Sequence, residues 1–180
     1  LGTVTNRIGD EELKVKRTTP ESLDLQALLA RMVHNGCSNA VMEISSHAVA
    51  LSRIAGCSFE AGILTNVTQD HLDSHKDFQD YLETKKRFFT DYIAEGGLKV
   101  LNRDDAHYEF VRQGLEGNVV TYGMKSEDAD VRAVDIQFDN RGIAFMVKSR
   151  FAPDFRVSAQ LLGRFNVANA LAMTAYALAR

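Results

Sequence analysis

Short apolar runs alternate along this chain with longer segments whose apolar residues recur every three or four positions. The apolar runs predict buried strands, and they lie at 40–44, 61–65, 98–102 and 119–122. Strands and helices that alternate at this spacing are typical of a parallel sheet with helices on its faces. The predicted fold class is therefore α/β.

The segments with three-to-four spacing predict helices that connect these strands. The first begins after Thr18, with Thr19 as the N-cap and Pro20 as the first helical residue, and it ends at Gly36. The other predicted helices span residues 46–53, 77–93, about 104–112, and an alanine-rich stretch at 167–180.

The last third of the chain has a different pattern. Residues 131–147 alternate between apolar and polar around the turn sequence at 139–142, which is typical of a hairpin, and residues 155–161 alternate as well. This pattern predicts a small antiparallel sheet beside the parallel one.

Composition and charge exclude several functional classes. The chain has 180 residues, is 45% hydrophobic and carries a formal net charge of −3, which gives no support for nucleic-acid binding. Cys37 and Cys57 are too few for a disulfide scaffold and fit a reducing cytoplasm. No apolar stretch approaches the roughly 20 residues of a membrane span. The chain starts without methionine and stops inside a predicted helix, so we expect a piece of a longer cytoplasmic protein.

Polar residues follow three of the predicted strands, at the sheet edge where α/β proteins bind ligands. Glu43 lies inside an apolar run, and a buried carboxylate needs a cation or a metal beside it. Asn66 follows the second strand. Asn102 ends the third strand, and Asp104 and Asp105 follow it. Turn and capping chemistry explains these three residues about as well as function does.

The loop at 66–75 contains two aspartates and two histidines within six residues. The spacing does not match a closed zinc site, and hard oxygen ligands with a histidine fit Mg²⁺ or Mn²⁺ better. A polar loop in which Asp70 caps the next helix is an equally good explanation.

Lys85 interrupts the apolar stripe of the helix predicted at 77–93. A lysine in this position can extend its ammonium group to solvent. If it is buried instead, it needs a carboxylate partner such as Glu43 or Asp70, or a chemical modification that removes its charge. The chain contains no G-x-x-x-x-G-K-[ST], G-x-S-x-G, C-x-x-C or H-E-x-x-H sequence.

Six short motifs occur in an order that resembles the central ATP-binding domain of the Mur ligases. They are Thr18-Thr19-Pro20-Glu21, Met42-Glu43-Ile44-Ser45-Ser46-His47, Thr65-Asn66 with Asp70-His71-Leu72-Asp73, Tyr81 with Lys85 and Phe89, Asn102 with Asp104-Asp105, and Leu162-Gly163 with Asn166 and Asn169-Ala170. The resemblance covers nearly the whole chain and is greatest to the E-type members.

The resemblance implies that residues 1–180 are a fragment of this central domain. The family's phosphate-binding loop, its N-terminal UDP-binding domain and its C-terminal domain would lie elsewhere in the same protein. The implied activity is ATP-dependent formation of an amide bond through an acyl phosphate, which adds diaminopimelate or lysine to UDP-MurNAc-L-Ala-D-Glu in peptidoglycan synthesis. The implied cofactors are ATP and Mg²⁺.

The resemblance also implies roles for particular residues. The Mg²⁺ ligands would be Glu43, His71 and a carbamylated Lys85, with His71 and Lys85 also catalytic. The nucleotide contacts would be Asn66, Asn166 and Asn169, and the UDP-muramoyl contacts Thr18, Thr19, Ser45 and Arg53. Arg17 and Leu51 depart from the family pattern, which affects the detailed substrate geometry.

Two alternatives remain at this point. Folylpolyglutamate synthetase and cyanophycin synthetase share the core of this family, although the Thr-Thr-Pro and Ser-Ser-His sequences favour a muramyl substrate. The chain by itself could also be a binding module without catalytic activity.

Overall fold

The computed structural model describes residues 1–68 and 75–180. The chain forms two compact units. The first contains residues 1–57 and 71–87, and the second contains residues 58–70 and 88–180. Within the described residues, no helix is long and apolar enough to cross a membrane.

The first unit combines a two-stranded antiparallel sheet with three helices. The sheet pairs β1 (Asn6–Ile8) with β2 (Glu11–Leu13). The helices are α1 (Ser22–His34), α2 (Ser46–Ala50) and α3 (Phe78–Arg87).

Helix α1 ends as the sequence predicts but begins later. At its end Gly36 has a φ of +75°, and the amides of Gly36 and Cys37 donate to the carbonyl oxygens of Val33 and Met32, which is a Schellman motif. At its start the N-cap is Glu21, without a side-chain hydrogen bond. The predicted cap at Thr19 is wrong, because the Thr19 hydroxyl is hydrogen-bonded elsewhere.

Residues 40–44 do not form the predicted buried strand. Val41 is 78% exposed, and Glu43 is exposed as well. In the described part of the chain, the backbone here pairs only with Leu1, whose amino group donates to Val41 O at 2.7 Å and whose carbonyl accepts from Glu43 N at 3.0 Å. An apolar run becomes a strand only where neighbouring backbone supplies a ladder of hydrogen bonds, and one residue does not.

Helix α2 is shorter than predicted, and the turn that ends it determines the position of Arg53. Ser45 caps it by accepting from Ala48 N at 3.2 Å. After Ala50 the chain forms a second Schellman motif, in which Ser52 N donates to Val49 O and Arg53 N donates to Ala48 O at 2.8 Å. Ser52 therefore takes the left-handed position, with a φ of +54°, and the chain turns so that Arg53 is buried.

The second unit contains one mixed six-stranded sheet with the order β3-β4-β5-β6-β7-β8. The strands are β3 (Phe59–Leu64), β4 (Ile93–Asn102), β5 (Val119–Gly123), β6 (Val131–Asp139), β7 (Gly142–Ser149) and β8 (Phe155–Ala159). Pairing is parallel from β3 to β6 and antiparallel from β6 to β8. The predicted hairpin is confirmed, but its strands continue the parallel sheet, and the separate antiparallel sheet is β1–β2.

The helix predicted at 77–93 is not continuous. Helix α3 ends at Arg87, five residues of π-helix follow (Phe88–Tyr92), and β4 begins at Ile93. The rings of Phe88 and Phe89 lie against Gly62 of β3, where an added Cβ atom would approach them to 2.6 and 3.0 Å. The wider π-helical turn therefore packs against a strand position that only glycine can occupy.

The core of the second unit lies between the sheet and helix α5 (Arg164–Ala179). The buried helix residues Val167, Leu171, Ala172 and Ala175 form one face, and they pack with buried sheet residues that include Phe145. The alanines allow the helix backbone to approach the strands closely. Helix α4 (Tyr108–Arg112) lies between β4 and β5 in the chain.

Candidate active site

The carboxylate of Glu43 is held by the segment that contains Gly2 and Thr3. Both the amide and the hydroxyl of Thr3 donate to Glu43 Oε2. An added Cβ atom at Gly2 would come within 3.1 Å of Oε1, so the small residue leaves space for the carboxylate. Among the described residues, no group donates a hydrogen bond to Oε1. An exposed, oriented carboxylate oxygen suits a hard divalent cation.

Thr19 connects Glu43 with Ser45. Its hydroxyl donates to Glu43 O at 2.9 Å and accepts from Ser45 N at 3.1 Å. The Ser45 hydroxyl lies 3.5 Å away, and Thr19 is only 1% exposed. Thr18, which is half-buried, places its hydroxyl 3.2 Å from that of Thr3. The structure thus links four predicted substrate and metal residues, Thr18, Thr19, Glu43 and Ser45, in one network.

Arg53 joins the same network from the end of α2. Its Nη1 donates to Thr19 O at 3.4 Å, and its Nη2 lies 3.1 Å from Glu21 Oε1. The side chain is buried, and its Nε has no hydrogen-bond partner in the described part of the protein. A buried guanidinium N–H without a partner is costly.

Lys85 lies on α3 and is half-buried. Its Nζ is 5.1 Å from the ring centroid of Tyr81, one turn earlier on the helix, and Tyr81 is buried. The lysine therefore lies against an aromatic face, where a charged amine is partly desolvated.

His75 is buried, and it is one of the two histidines of the 66–75 loop, to which the sequence analysis gave no individual role. Its Nε2 is 3.0 Å from Ser46 Oγ and its Nδ1 is 3.2 Å from Asp80 Oδ2. Asp77 caps helix α3, because its Oδ1 accepts from Asp80 N at 2.8 Å. The sequence signal for His75 was its position two residues before this cap.

The predicted metal site is described in part. Glu43 and Lys85 belong to the first unit, and His71 lies outside the described residues. Within residues 1–68 and 75–180, no group of three or more histidine, cysteine, aspartate or glutamate side chains could hold a metal ion. The described residues therefore include Glu43 and Lys85, two of the three predicted ligands, but they do not include the third, His71.

In the second unit, side chains from the end of β4, from the turn after it and from β5 hold the end of β3 in place. Asn102 Nδ2 donates to Thr65 O at 2.7 Å, and the Tyr122 hydroxyl donates to Leu64 O at 3.0 Å. Asp105 Oδ2 accepts from Val67 N at 2.6 Å. Burial raises the pKa of Tyr122 well above its usual value, so it stays a hydrogen-bond donor. These polar residues fix the backbone around Asn66, which is exposed.

Asp104 organises the loop after β5. Its carboxylate accepts from the amides of Met124, Lys125 and Ser126 and from the Ser126 hydroxyl. Partial burial favours a higher pKa, but these hydrogen bonds outweigh it and hold the pKa of Asp104 below its usual value. Turn chemistry, one of the two explanations left open for this motif, is thus the role that the structure gives Asp104.

Asn166 and Asn169 lie together on the first turns of α5. Asn169 Nδ2 donates to Asn166 Oδ1 at 3.3 Å, and Asn166 Nδ2 donates to Leu162 O at 2.9 Å. The N-cap is Gly163, with a φ of +96°, so Asn166 does not cap the helix through its side chain. Their hydrogen bond shows that the two amides lie on the same side of the helix.

Comparison with known proteins identifies the family. Residues 1–177 match the Mur ligase middle domain, and the chain belongs to the Mur ligase family. It is 40% identical over 178 residues to UDP-N-acetylmuramoyl-L-alanyl-D-glutamate--2,6-diaminopimelate ligase 1 of Clostridium acetobutylicum. The aligned region covers 99% of this chain and 36% of that protein. The corresponding ligase of Geobacter sulfurreducens is 39% identical, over 97% of this chain and 35% of that protein. The chain thus spans little more than a third of the length of these relatives.

Solved structures agree with this assignment. A structure of UDP-N-acetylmuramoyl-L-alanyl-D-glutamate--2,6-diaminopimelate ligase superimposes with a TM-score of 0.85 at 30% identity, over 98% of this chain and 37% of that one. MurF ligase from Thermotoga maritima, solved in complex with ADP, has a TM-score of 0.56 at 18% identity, over 79% of this chain and 34% of that one. The second comparison shows the shared fold alone. The α/β fold class and the resemblance to Mur ligases are confirmed.

Proposed function

We propose that this chain is part of an ATP-dependent ligase that adds the third amino acid, diaminopimelate or lysine, to UDP-MurNAc-L-Ala-D-Glu. The relatives that match nearly the whole chain are diaminopimelate ligases by name. The structural observation that carries the proposal is the hydrogen-bond network in which Thr19 joins Glu43 to Ser45 and contacts Arg53. Thr19 comes from one motif and Glu43 and Ser45 from a second, Arg53 follows at the end of α2, and the fold brings the four residues together.

Glu43 and Lys85 are the described residues that would hold Mg²⁺, together with His71. The Glu43 carboxylate fits this role because Thr3 orients it through one oxygen and leaves the other accessible. Bound ATP and Mg²⁺ would supply the phosphoryl group that activates the substrate carboxylate and the charge neutralisation that this transfer needs.

Lys85 would act as a carbamate. Its neutral amine attacks the carbon of CO₂, a C=O electron pair moves to oxygen, and the amine proton passes to water. The product carries −1 charge where the ammonium carried +1, so a group that would repel Mg²⁺ becomes an oxygen ligand. The reaction requires the neutral amine, because the ammonium has no free electron pair with which to attack CO₂.

Arg53, Thr18, Thr19 and Ser45 would position the muramoyl substrate. Arg53 contacts Thr19 O and the Glu21 carboxylate, and Thr18 and Ser45 are half-buried. Thr19 is nearly inaccessible, so its contribution to substrate binding would be to hold Ser45 and Arg53 in place. Asn66, Asn166 and Asn169 would contact the nucleotide from the second unit.

The reaction places the protein in the cytoplasm, where UDP-activated precursors and ATP are available. The 180-residue chain alone is expected not to turn over ATP, because it carries no G-x-x-x-x-G-K-[ST] sequence to cradle the β- and γ-phosphates.

The test uses the full-length ligase with ATP, Mg²⁺ and UDP-MurNAc-L-Ala-D-Glu, with diaminopimelate and lysine supplied separately. Mass spectrometry should detect the tripeptide product with one of the two amino acids, together with ADP and phosphate. Lys85→Ala should abolish the product, and Lys86→Ala, the matched change at the next residue, should not. Product formed only with a folate acceptor would favour the folylpolyglutamate alternative, and no product with either amino acid would contradict the proposal.

A further inference from the structure

We propose that His75 is a positioning residue that holds helix α3, and with it Lys85, against the helix that follows Glu43 and Ser45. The inference rests on the proposed function and adds a residue to it. His75 belongs to the same compact unit as both helices.

The imidazole of His75 bridges two elements. Its Nε2 lies 3.0 Å from the hydroxyl of Ser46, the first residue of α2, and its Nδ1 lies 3.2 Å from Asp80 Oδ2 in the first turn of α3. His75 is 8% exposed and Ser46 is 6% exposed. Both ring nitrogens are therefore satisfied inside the protein, and loss of either bond would leave a buried polar atom without a partner.

The charge on Asp80 fixes the direction of these hydrogen bonds. The backbone amide of Lys76 donates to Asp80 Oδ2 at 3.2 Å, and together with the His75 hydrogen bond it holds the pKa of Asp80 below its usual value. An ionised carboxylate only accepts, so His75 Nδ1 carries the proton. Nδ1 is therefore the nitrogen that faces α3 as a donor, and Nε2 is the nitrogen that faces the Ser46 hydroxyl.

His75 is linked to Lys85 through Tyr81. The imidazole meets the Tyr81 ring edge to face, with centroids 5.3 Å apart and an interplanar angle of 73°. Tyr81 is buried, and Lys85 Nζ lies 5.1 Å from the centroid of its ring. A shift of His75 would therefore move the aromatic surface on which the lysine rests.

The order Ser46, His75, Asp80 resembles the hydrogen-bond chain of a serine hydrolase, but the burial of Ser46 argues against a nucleophile. A nucleophilic hydroxyl has to reach a substrate carbonyl. The Ser46 side chain instead points into the contact between α2 and α3, where it meets His75. The chain of hydrogen bonds serves to position the two helices.

The test compares three variants of the full-length ligase. His75→Phe keeps a ring of similar size and removes both nitrogens, His75→Gln keeps a polar group that can reach Ser46, and His34→Phe makes the same change at an exposed histidine of the same unit. Displacement of a catalytic group by about 1 Å can cost roughly 10²-fold in rate. We expect His75→Phe to lower kcat by about 10²-fold and to leave the KM for ATP within about twofold of the wild-type value. His75→Gln should recover part of the lost kcat. His34→Phe should have the kcat and KM of the wild type.

Two further readouts separate positioning from a general loss of structure. With ¹³C-labelled bicarbonate, the lysine carbamate signal of the wild type should be weakened or lost in His75→Phe. Amide hydrogen exchange should accelerate in α2 and α3 and stay unchanged in α1. If His75→Phe does not fold, Ser46→Ala, which removes only the Nε2 partner, should lower kcat in the same direction.

Wild-type kcat and an unchanged carbamate signal in His75→Phe would overturn the inference, as would wild-type kcat in Ser46→Ala. A wild-type enzyme that forms no amide product would instead overturn the proposed function, and with it the role that rests on it.

Discussion

The hydroxyl of Thr19 donates a 2.9 Å hydrogen bond to the backbone carbonyl of Glu43. The same oxygen accepts from Ser45 N at 3.1 Å, so one buried side chain replaces the backbone ladder that residues 40–44 lack. The extended segment that presents Glu43 is held at its C-terminal end by Thr19 and at its N-terminal end by Leu1.

Thr19→Val should destabilise the protein and Thr19→Ser should not. Valine has nearly the same shape but leaves Glu43 O and Ser45 N without their partner, at a cost of about 1–3 kcal/mol. Urea unfolding measures the difference in the free energy of unfolding. Equal stability of the valine and serine variants would show that the hydroxyl does not hold this segment.

Asp104→Asn should lower stability at neutral pH and matter less in acid. The pKa of Asp104 in the folded protein is below its ordinary value of 3.8, so the unfolded chain takes up the proton first as the pH falls. The stabilisation is therefore fully present above about pH 4 and is lost as the pH falls through the lower, folded pKa.

We expect the asparagine variant to lose about 1–3 kcal/mol at pH 7, because the carboxylate accepts hydrogen bonds from three backbone amides and a hydroxyl. The difference from the wild type should shrink below pH 4. Unfolding curves from pH 7 to pH 3 test this, and a constant difference across that range would contradict the assigned cause.

Ser52→Gly should stabilise the protein. Ser52 has a φ of +54° at the end of α2, a conformation that glycine adopts without a steric penalty. We expect a gain of about 0.5–1 kcal/mol after allowing for the greater freedom of glycine in the unfolded chain. Ala50→Gly, two residues earlier and inside the helix, should have the opposite sign, and a loss of stability in Ser52→Gly would mean that the serine makes a compensating interaction.

Asn169→Ala should raise the KM for ATP of the full-length ligase without unfolding it. The side chain is exposed and interacts with Asn166, so its removal should cost the nucleotide about one hydrogen bond, or roughly 3- to 10-fold in KM. Met173→Ala, one turn later and 53% exposed, is the matched control. An unchanged KM in Asn169→Ala would remove the assignment of Asn169 as a nucleotide contact.

Periodicity predicted most of the second unit correctly. The strands β3, β4 and β5, the hairpin around 139–142 and helix α5 follow from apolar patterning, because their partners are other strands with the same pattern. The hairpin turn could be predicted because its interactions lie within a few residues of one another. The Asp139 side chain accepts from the amides of Arg141 and Gly142 in the same turn.

The errors arise where an interaction distant in the sequence decides the local structure. Residues 40–44 have the composition of a strand, but the described backbone around them supplies only Leu1 as a partner. Thr19 is a good N-cap by type, yet its hydroxyl bonds to Glu43, 24 residues away. The π-helical turn at Phe88 depends on Gly62, in a different strand.

The sequence indicated which residues belong to the candidate site more readily than it indicated which of those residues contact one another. The family resemblance pointed to Thr19, Glu43, Ser45, Arg53 and Lys85, but it did not reveal that Thr19 joins Glu43, Ser45 and Arg53. His75 was noted only as part of a polar loop, because its partners Ser46 and Asp80 lie in two different helices.

The central claim is that the full-length protein forms an amide through an acyl phosphate, and isotope transfer tests it most directly. The carboxylate that accepts the amino acid is labelled with ¹⁸O, and phosphate released with the product is analysed by mass spectrometry. A carboxylate oxygen that attacks the γ-phosphorus leaves with the phosphate when the amine displaces it. We therefore predict one ¹⁸O atom in each phosphate formed from fully labelled substrate, whereas amide product accompanied by unlabelled phosphate would contradict the account.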